Sequence, residues 1–132
     1  MIMPKFQLNK LVRDTIVSDS QNLWIVVDYI KLEWQEEILA LLNKIKEESG
    51  ELKQETEPAE IEGELIDIQQ AINDLLKKLN ISQEEFLEKV DQKKTKKGWF
   101  EQGLYVKTME MDASNPRSEY YKQDPQRFPE VE

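Results

Sequence analysis

Four carboxylates lie where two helices would be expected to carry apolar residues. Glu48 and Glu51 form an E-x-x-E pair, and Glu64 and Asp67 form an E-x-x-D pair. Glu48 and Glu64 each follow an isoleucine by three residues and precede another apolar residue by four. Residues three apart share one side of a helix, so two antiparallel helices joined by a short turn would bring the four carboxylates together. Unpaired carboxylates held together between two helices would repel one another and lose hydration. A hard divalent cation with oxygen ligands, such as Mg²⁺, would offset that cost.

An acidic stretch on a helix is more often a solvated surface than a site. We adopt that interpretation for the neighbouring glutamates Glu47, Glu55, Glu57, Glu60 and Glu62. For the four spaced carboxylates, their position within the apolar repeat favours a metal site instead. Lys53 is the only positive charge expected near them in this stretch.

A basic cluster provides the opposite charge further along the chain. The stretch "KVDQKKTKKG" contains Lys89, Lys93, Lys94, Lys96 and Lys97 and ends at Gly98. Lysines there could bind phosphate oxygens while a metal ion binds others. They could equally do no more than complement the dipole at the C-terminus of a helix. The sequence leaves both interpretations open.

Composition excludes several kinds of chemistry. The 132-residue chain has no cysteine and no histidine, so disulfides, thiolate nucleophiles, imidazole ligands and histidine-dependent triads are ruled out. Its net charge of −9 argues against nucleic-acid binding. No stretch approaches the length of a membrane span and no signal peptide is evident. We expect a cytoplasmic protein with no membrane or nucleic-acid partner.

Three helices must position these residues. Apolar spacing of three and four predicts a helix over about residues 31–53. A second helix is predicted from Thr56, as N-cap, to Asn80, and a third from a Ser82–Glu85 capping box to Lys97. The predicted fold is an all-α antiparallel helix bundle with an irregular N-terminal segment.

The remaining segments are less regular. "SDSQN" is typical of a turn, and "LWIVVDYI" of a strand or a buried connector. Residues 1–111 are expected to form the domain, with a loop and a short extended segment after Lys97. The tail over 112–132 is polar and aperiodic, and we expect it to be mobile unless its tyrosines and Phe128 dock. Trp24 and Trp34 add apolar surface that predicts a homodimer or a dimer of dimers.

Together these motifs resemble the MazG-like nucleoside triphosphate pyrophosphohydrolase superfamily, which includes phosphoribosyl-ATP pyrophosphohydrolase and the all-α dUTPases. The resemblance covers about Lys5 to Val106. It rests on "NKLVRD", "EESGEL", "GELIDI" and "KKGWFEQGLYV" in that order.

The resemblance implies Mg²⁺-dependent cleavage of a nucleotide between the α- and β-phosphates, with Mn²⁺ as a substitute cation. It implies metal ligation by Glu48, Glu51, Glu64 and Asp67. Glu47 would orient the attacking water, so that Glu47 and Glu48 are the catalytic pair. The substrate-binding residues would be Asn73, Lys94 and Lys97, the two lysines for phosphate.

Two alternatives remain at this point. The chain could be a non-catalytic helical adaptor that keeps the fold and uses its acidic surface for a partner. It could also be a phosphoribosyl-ATP pyrophosphohydrolase of histidine synthesis, whereas a general house-cleaning enzyme would act on (d)NTPs.

Overall fold

The computed structural model describes residues 2–132, which contain five α-helices and no strand. The helices are α1 Ile16–Asn22, α2 Trp34–Leu52, α3 Pro58–Lys78, α4 Gln83–Lys97 and α5 Pro116–Lys122. The predicted all-α class is confirmed. None of these helices is both long and apolar enough to cross a membrane. The described residues divide into two compact units, one ending at Thr95 and the other running from Lys96 to Glu132.

The starts of α2 and α3 are fixed by residues that differ slightly from the predicted ones. Before α2, Glu33 is extended, and its backbone N–H donates to Glu36 Oε2 at 3.2 Å, so the helix begins later than residue 31. For α3 the predicted N-cap Thr56 is wrong by one residue. Pro58 takes the first helical position, where its missing N–H costs nothing, and the cap therefore falls on Glu57.

The link between α3 and α4 follows the predicted pattern. Asn80 adopts a left-handed φ of 56° just after α3. The N–H of Ile81 donates to Leu76 O at 2.9 Å, and that of Asn80 donates to Lys77 O at 3.1 Å. These two bonds satisfy the last carbonyls of the helix. Ser82 Oγ then accepts from Glu85 N at 3.1 Å, which starts α4.

Helix–helix packing in the described residues is concentrated between α2 and α3. They form an antiparallel hairpin, because the start of α2 meets the end of α3. Trp34 Nε1 donates to Lys78 O at 3.0 Å, and Lys78 Nζ lies 2.7 Å from Glu37 Oε2. At the other end of the hairpin, five residues connect Leu52 to Pro58. The acidic pairs lie at this connected end.

The apolar core of the hairpin is small. Leu41, Ala71 and Leu76 are its buried apolar residues in the described chain. Other members of the predicted apolar repeats stay exposed, including Leu42 at 49% and Leu65 at 51%. Two helices can cover only one side of each other, so the rest of each apolar stripe needs another partner. The dimer predicted for that purpose stays a prediction.

The segment before α2 differs from its predicted structure. "SDSQN" belongs to helix α1 and is not a turn. "LWIVVDYI" forms neither a strand nor a buried connector, and Trp24 is 93% exposed with a φ of 61°. A β-branched run becomes a stable strand only when other strands pair with it, and the described residues contain none.

The C-terminal segment contains a helix that the sequence analysis missed. Asn115 Oδ1 accepts from Arg117 N at 3.0 Å and Pro116 opens α5, so the Asn-Pro pair was the available signal. The rings of Tyr121 and Phe128 then meet edge to face, with centroids 5.0 Å apart. The sequence pattern predicts no helix at residues 116–122, and whether the tail is mobile or docked stays a prediction. Residues 99–111 form no helix or strand, as the predicted loop requires.

We predict that Leu41→Ala lowers the free energy of unfolding by about 2–5 kcal/mol, because it empties a buried position between α2 and α3. Leu42→Ala is the matched control and should cost about 1 kcal/mol or less in a monomer, since Leu42 is half-exposed. Urea unfolding at several protein concentrations measures both.

If Leu41→Ala and Leu42→Ala lower the free energy of unfolding equally at every protein concentration, the α2–α3 packing is contradicted. A large loss for Leu42→Ala that depends on protein concentration would instead place Leu42 in the predicted interface between copies.

Candidate functional site

The connected end of the hairpin brings three of the four predicted metal ligands together. Glu48 and Glu51 come from the last turns of α2, and Glu64 comes from the second turn of α3. One carboxylate oxygen from each lies within 4.8 Å of the other two. The antiparallel arrangement causes this, because it sets the C-terminal turns of α2 against the N-terminal turns of α3.

Burial within this acidic cluster is uneven. Glu48 is buried, Glu64 is half-buried and Glu51 is exposed. With both acids ionised, the Oε2 atom of Glu64 is fully covered and has no hydrogen-bond partner among residues 2–132. A covered carboxylate oxygen without a partner costs free energy, so this atom is where the site lacks a positive partner.

The proximity of Glu48 and Glu64 shifts their protonation in opposite directions. A hydrogen bond with Glu48 raises the pKa of Glu64 to about 7, and burial and the charges of neighbouring acids add to the effect. The same hydrogen bond lowers the pKa of Glu48, and Lys44 adds to that lowering. Below about pH 7 the pair therefore holds one proton, which resides mainly on Glu64 and is lost as the pH rises through that value.

Asp67, the fourth predicted ligand, lies outside this cluster. Its Oδ1 atom forms an ion pair with Arg13 Nη2, which comes from a position 54 residues earlier in the chain. Asp67 still lies one turn beyond Glu64 on α3, and its charge contributes to the raised pKa of Glu64. The structure therefore places Asp67 at the edge of the cluster, bound to a cation of the chain itself.

Two lysines also contact the carboxylates. Lys44 Nζ lies 3.1 Å from Glu48 Oε1 and 3.3 Å from Glu47 Oε1, and Lys10 Nζ lies 3.6 Å from that same Glu47 atom. Burial alone would lower the pKa of Lys44, but its contacts with Glu48 and Glu47 outweigh burial and raise it. Both lysines lie outside the acidic stretch in which Lys53 was the expected positive charge.

A local signal for one of these cations was present in the sequence. Lys44 precedes Glu48 by four residues and Glu47 by three, which is the spacing of neighbours on one helix face. Lys10 and Arg13 had no such signal, because their partners lie on helices far away in the sequence. The sequence indicated these two residues only as members of the motif "NKLVRD".

The remaining predicted residues lie elsewhere. Asn73 accepts from Gln69 Nε2 at 2.9 Å and lines a small cleft with Leu76, Lys77 and Ile81. Six residues separate Asn73 from Asp67, which is about 9 Å along a helix. Lys94 and Lys97 are exposed in the last turns of α4, and Lys97 belongs to the second unit. The role of these three residues stays a prediction.

No protein-family model matches the chain, and no curated protein or solved structure matches it either.

The cluster itself fits a hard divalent cation. Its donors are all carboxylate oxygens, which Mg²⁺ and Mn²⁺ prefer. The covered, partnerless Oε2 of Glu64 is the atom that such a cation would satisfy. The exposure of Glu51 leaves one side of the cluster open to water or to a ligand.

We predict a pH dependence of stability in the protein stripped of metal with a chelator. The pKa of Glu64 is about 7 in the folded protein and near its ordinary value of 4.5 in the unfolded chain. Between these values the folded state holds one more proton, so stability should fall as pH rises from about 5 to 8.

Melting temperatures across this pH range should show the fall in the wild type and in Glu62→Gln, a control on the exposed side of α3. Glu64→Gln should flatten it, because glutamine does not ionise. Parallel profiles for wild type and Glu64→Gln would contradict the shared proton.

Proposed function

We propose that the protein is a divalent-cation-dependent nucleoside triphosphate pyrophosphohydrolase. It would convert a (d)NTP or a related nucleotide to the monophosphate and pyrophosphate, in keeping with nucleotide-pool house-cleaning. The observation that carries the proposal is the covered, partnerless Oε2 of Glu64 inside a cluster of three carboxylates. The resemblance of the "EESGEL" and "GELIDI" motifs to the MazG-like superfamily supports the choice of reaction.

In this proposal the cation is Mg²⁺, or Mn²⁺ in its place, and Glu48, Glu51 and Glu64 hold it with Asp67 at the edge. When bound, it supplies charge neutralisation for the triphosphate and a lowered pKa for a ligated water. Glu48 is the deepest of the ligands and fixes the site to α2. Glu64 must lose its proton to serve as a ligand, and its pKa of about 7 makes that inexpensive near neutral pH.

Glu47 is the proposed residue for orienting the attacking water. Lys10 and Lys44 both contact its Oε1 atom and fix the carboxylate beside Glu48. A carboxylate held by two cations keeps one orientation, which suits hydrogen bonding to a water molecule. Asn73, Lys94 and Lys97 keep their substrate-binding roles on the resemblance alone.

The finer architecture is also part of the proposal. The α2–α3 hairpin would be the central part of a MazG-like bundle, and a second copy would cover the apolar residues that the hairpin leaves exposed. The exposure of Leu42 and Leu65 supports this homodimer.

One observation favours the non-catalytic alternative. Lys10, Arg13 and Lys44 already pair with Glu47, Glu48 and Asp67, so much of the acidic charge is compensated without any metal. A non-catalytic adaptor that only needed to keep its fold would require no charge compensation beyond these ion pairs. This alternative depends on the proton of Glu64, because the ionised carboxylate would leave its covered Oε2 atom without a partner.

We expect millimolar Mg²⁺ to raise the melting temperature by a few degrees, because a ligand that binds only the folded state adds about 1–3 kcal/mol at tens to hundreds of times its Kd. Pyrophosphate release should appear with at least one nucleotide of a panel that includes phosphoribosyl-ATP. Glu48→Gln and Glu64→Gln should abolish both effects, and Glu62→Gln should keep both.

A wild-type protein that gains no stability from Mg²⁺ and releases no pyrophosphate would leave the adaptor as the better account. Activity confined to phosphoribosyl-ATP would identify the narrower enzyme.

A further inference from the structure

The N-terminal segment 10–13 reaches the carboxylates from outside the hairpin. Arg13 pairs with Asp67 on α3, and Lys10 pairs with Glu47 on α2. Residues 2–10 are exposed, whereas Leu11 and Val12 are half-buried. The chain is thus anchored at the two apolar residues and places one cation on each of the two helices.

Side-chain exposure increases from Glu48 through Asp67 to Arg13. The exposed fraction of the side chain is 7% for Glu48, 36% for Asp67 and 54% for Arg13. A ligand that approaches along the Asp67 edge of the cluster would therefore meet Arg13 and Asp67 before it meets Glu48. Arg13 lies at this exposed edge, and Lys44, at 20%, lies deeper.

The contact between Arg13 and Asp67 conflicts with cation binding at the same edge. Asp67 lies one turn after Glu64, so it is the next carboxylate available to a cation held by the acidic cluster. Its Oδ1 atom is engaged by the guanidinium, whose charge would also repel a divalent cation nearby. Arg13 would have to release Asp67 for this carboxylate to act as a ligand.

We propose that Arg13 is a phosphate-binding residue that stays paired with Asp67 until a cation binds Asp67. With Asp67 turned to a bound cation, the guanidinium would be released at this edge and would bind oxygens of the polyphosphate that accompanies the cation. Arginine suits this role, because its five N–H donors match phosphate oxygens in a two-pronged geometry. The inference rests on the proposed function and adds to it a phosphate-binding residue outside the helices.

The test measures two affinities by calorimetry for the wild type and three variants, with Mg²⁺ alone and then inorganic tripolyphosphate at saturating Mg²⁺. Arg13→Gln should bind Mg²⁺ about two- to fivefold more tightly than the control, because an exposed ion pair no longer competes for Asp67. It should bind tripolyphosphate about tenfold more weakly or worse, because a charge-assisted contact is lost. Opposite changes of this kind are not expected from a residue that only stabilises the fold.

Lys122→Gln is the control for charge. It removes one positive charge from the exposed last turn of α5, in the second compact unit. Arg13→Lys keeps the charge and should return the Mg²⁺ affinity close to that of the wild type, with tripolyphosphate binding restored only in part.

If Arg13→Gln behaves like Lys122→Gln while the wild type binds Mg²⁺, this inference is wrong and the proposed function stands. The same holds if both affinities of Arg13→Gln fall together, or if only one of them changes. A wild type that binds no Mg²⁺ overturns the proposed function and this inference with it.

Discussion

The contact between the carboxyl groups of Glu48 and Glu64 is the constraint on which the rest of this hairpin depends. Two acids of like charge meet across α2 and α3 at a point where one of them is buried. Such a pair cannot be fully ionised without a large penalty. The chain offsets that penalty in two ways, with a proton that resides mainly on Glu64 and with Lys44 beside Glu48. Both helices must stay in register for the proton and Lys44 to neutralise this pair.

That register is held at the opposite end of the hairpin. Trp34 bonds to the last residue of α3, Lys78, which in turn pairs with Glu37, while Leu41 and Leu76 are buried between the helices. Burying such a leucine contributes about 1.5–3 kcal/mol. Because few residues are buried, apolar packing in the hairpin contributes too little stability to offset strong repulsion among the acids. Local neutralisation at the acidic end is therefore a structural requirement, whatever ligand binds there.

The sequence was sufficient to predict features that depend on local spacing. The two long helices, the termination at Asn80 and the meeting of Glu48, Glu51 and Glu64 all follow from periodicity and a short connection. Features that depend on distant partners were beyond it. No periodicity could show that Arg13 pairs with Asp67, because 54 residues separate them. Nor could apolar content show that the run around Trp24 stays exposed, since burial requires a partner that the run itself does not specify.

Three of the ways in which these acids are neutralised differ in how easily each can be reversed. The proton on Glu64 leaves near pH 7, and the pairing of Arg13 with Asp67 is half-exposed, so both can be exchanged at little cost. Lys44 is more deeply placed and holds Glu48 from the same helix, so it is the permanent partner. Exchangeable cations surround one fixed cation in this arrangement. A positively charged ligand would replace the proton of Glu64 and the guanidinium of Arg13. The acids would therefore stay neutralised before and after the ligand binds. Such an arrangement would allow the proposed cation to bind and leave while the fold stays intact.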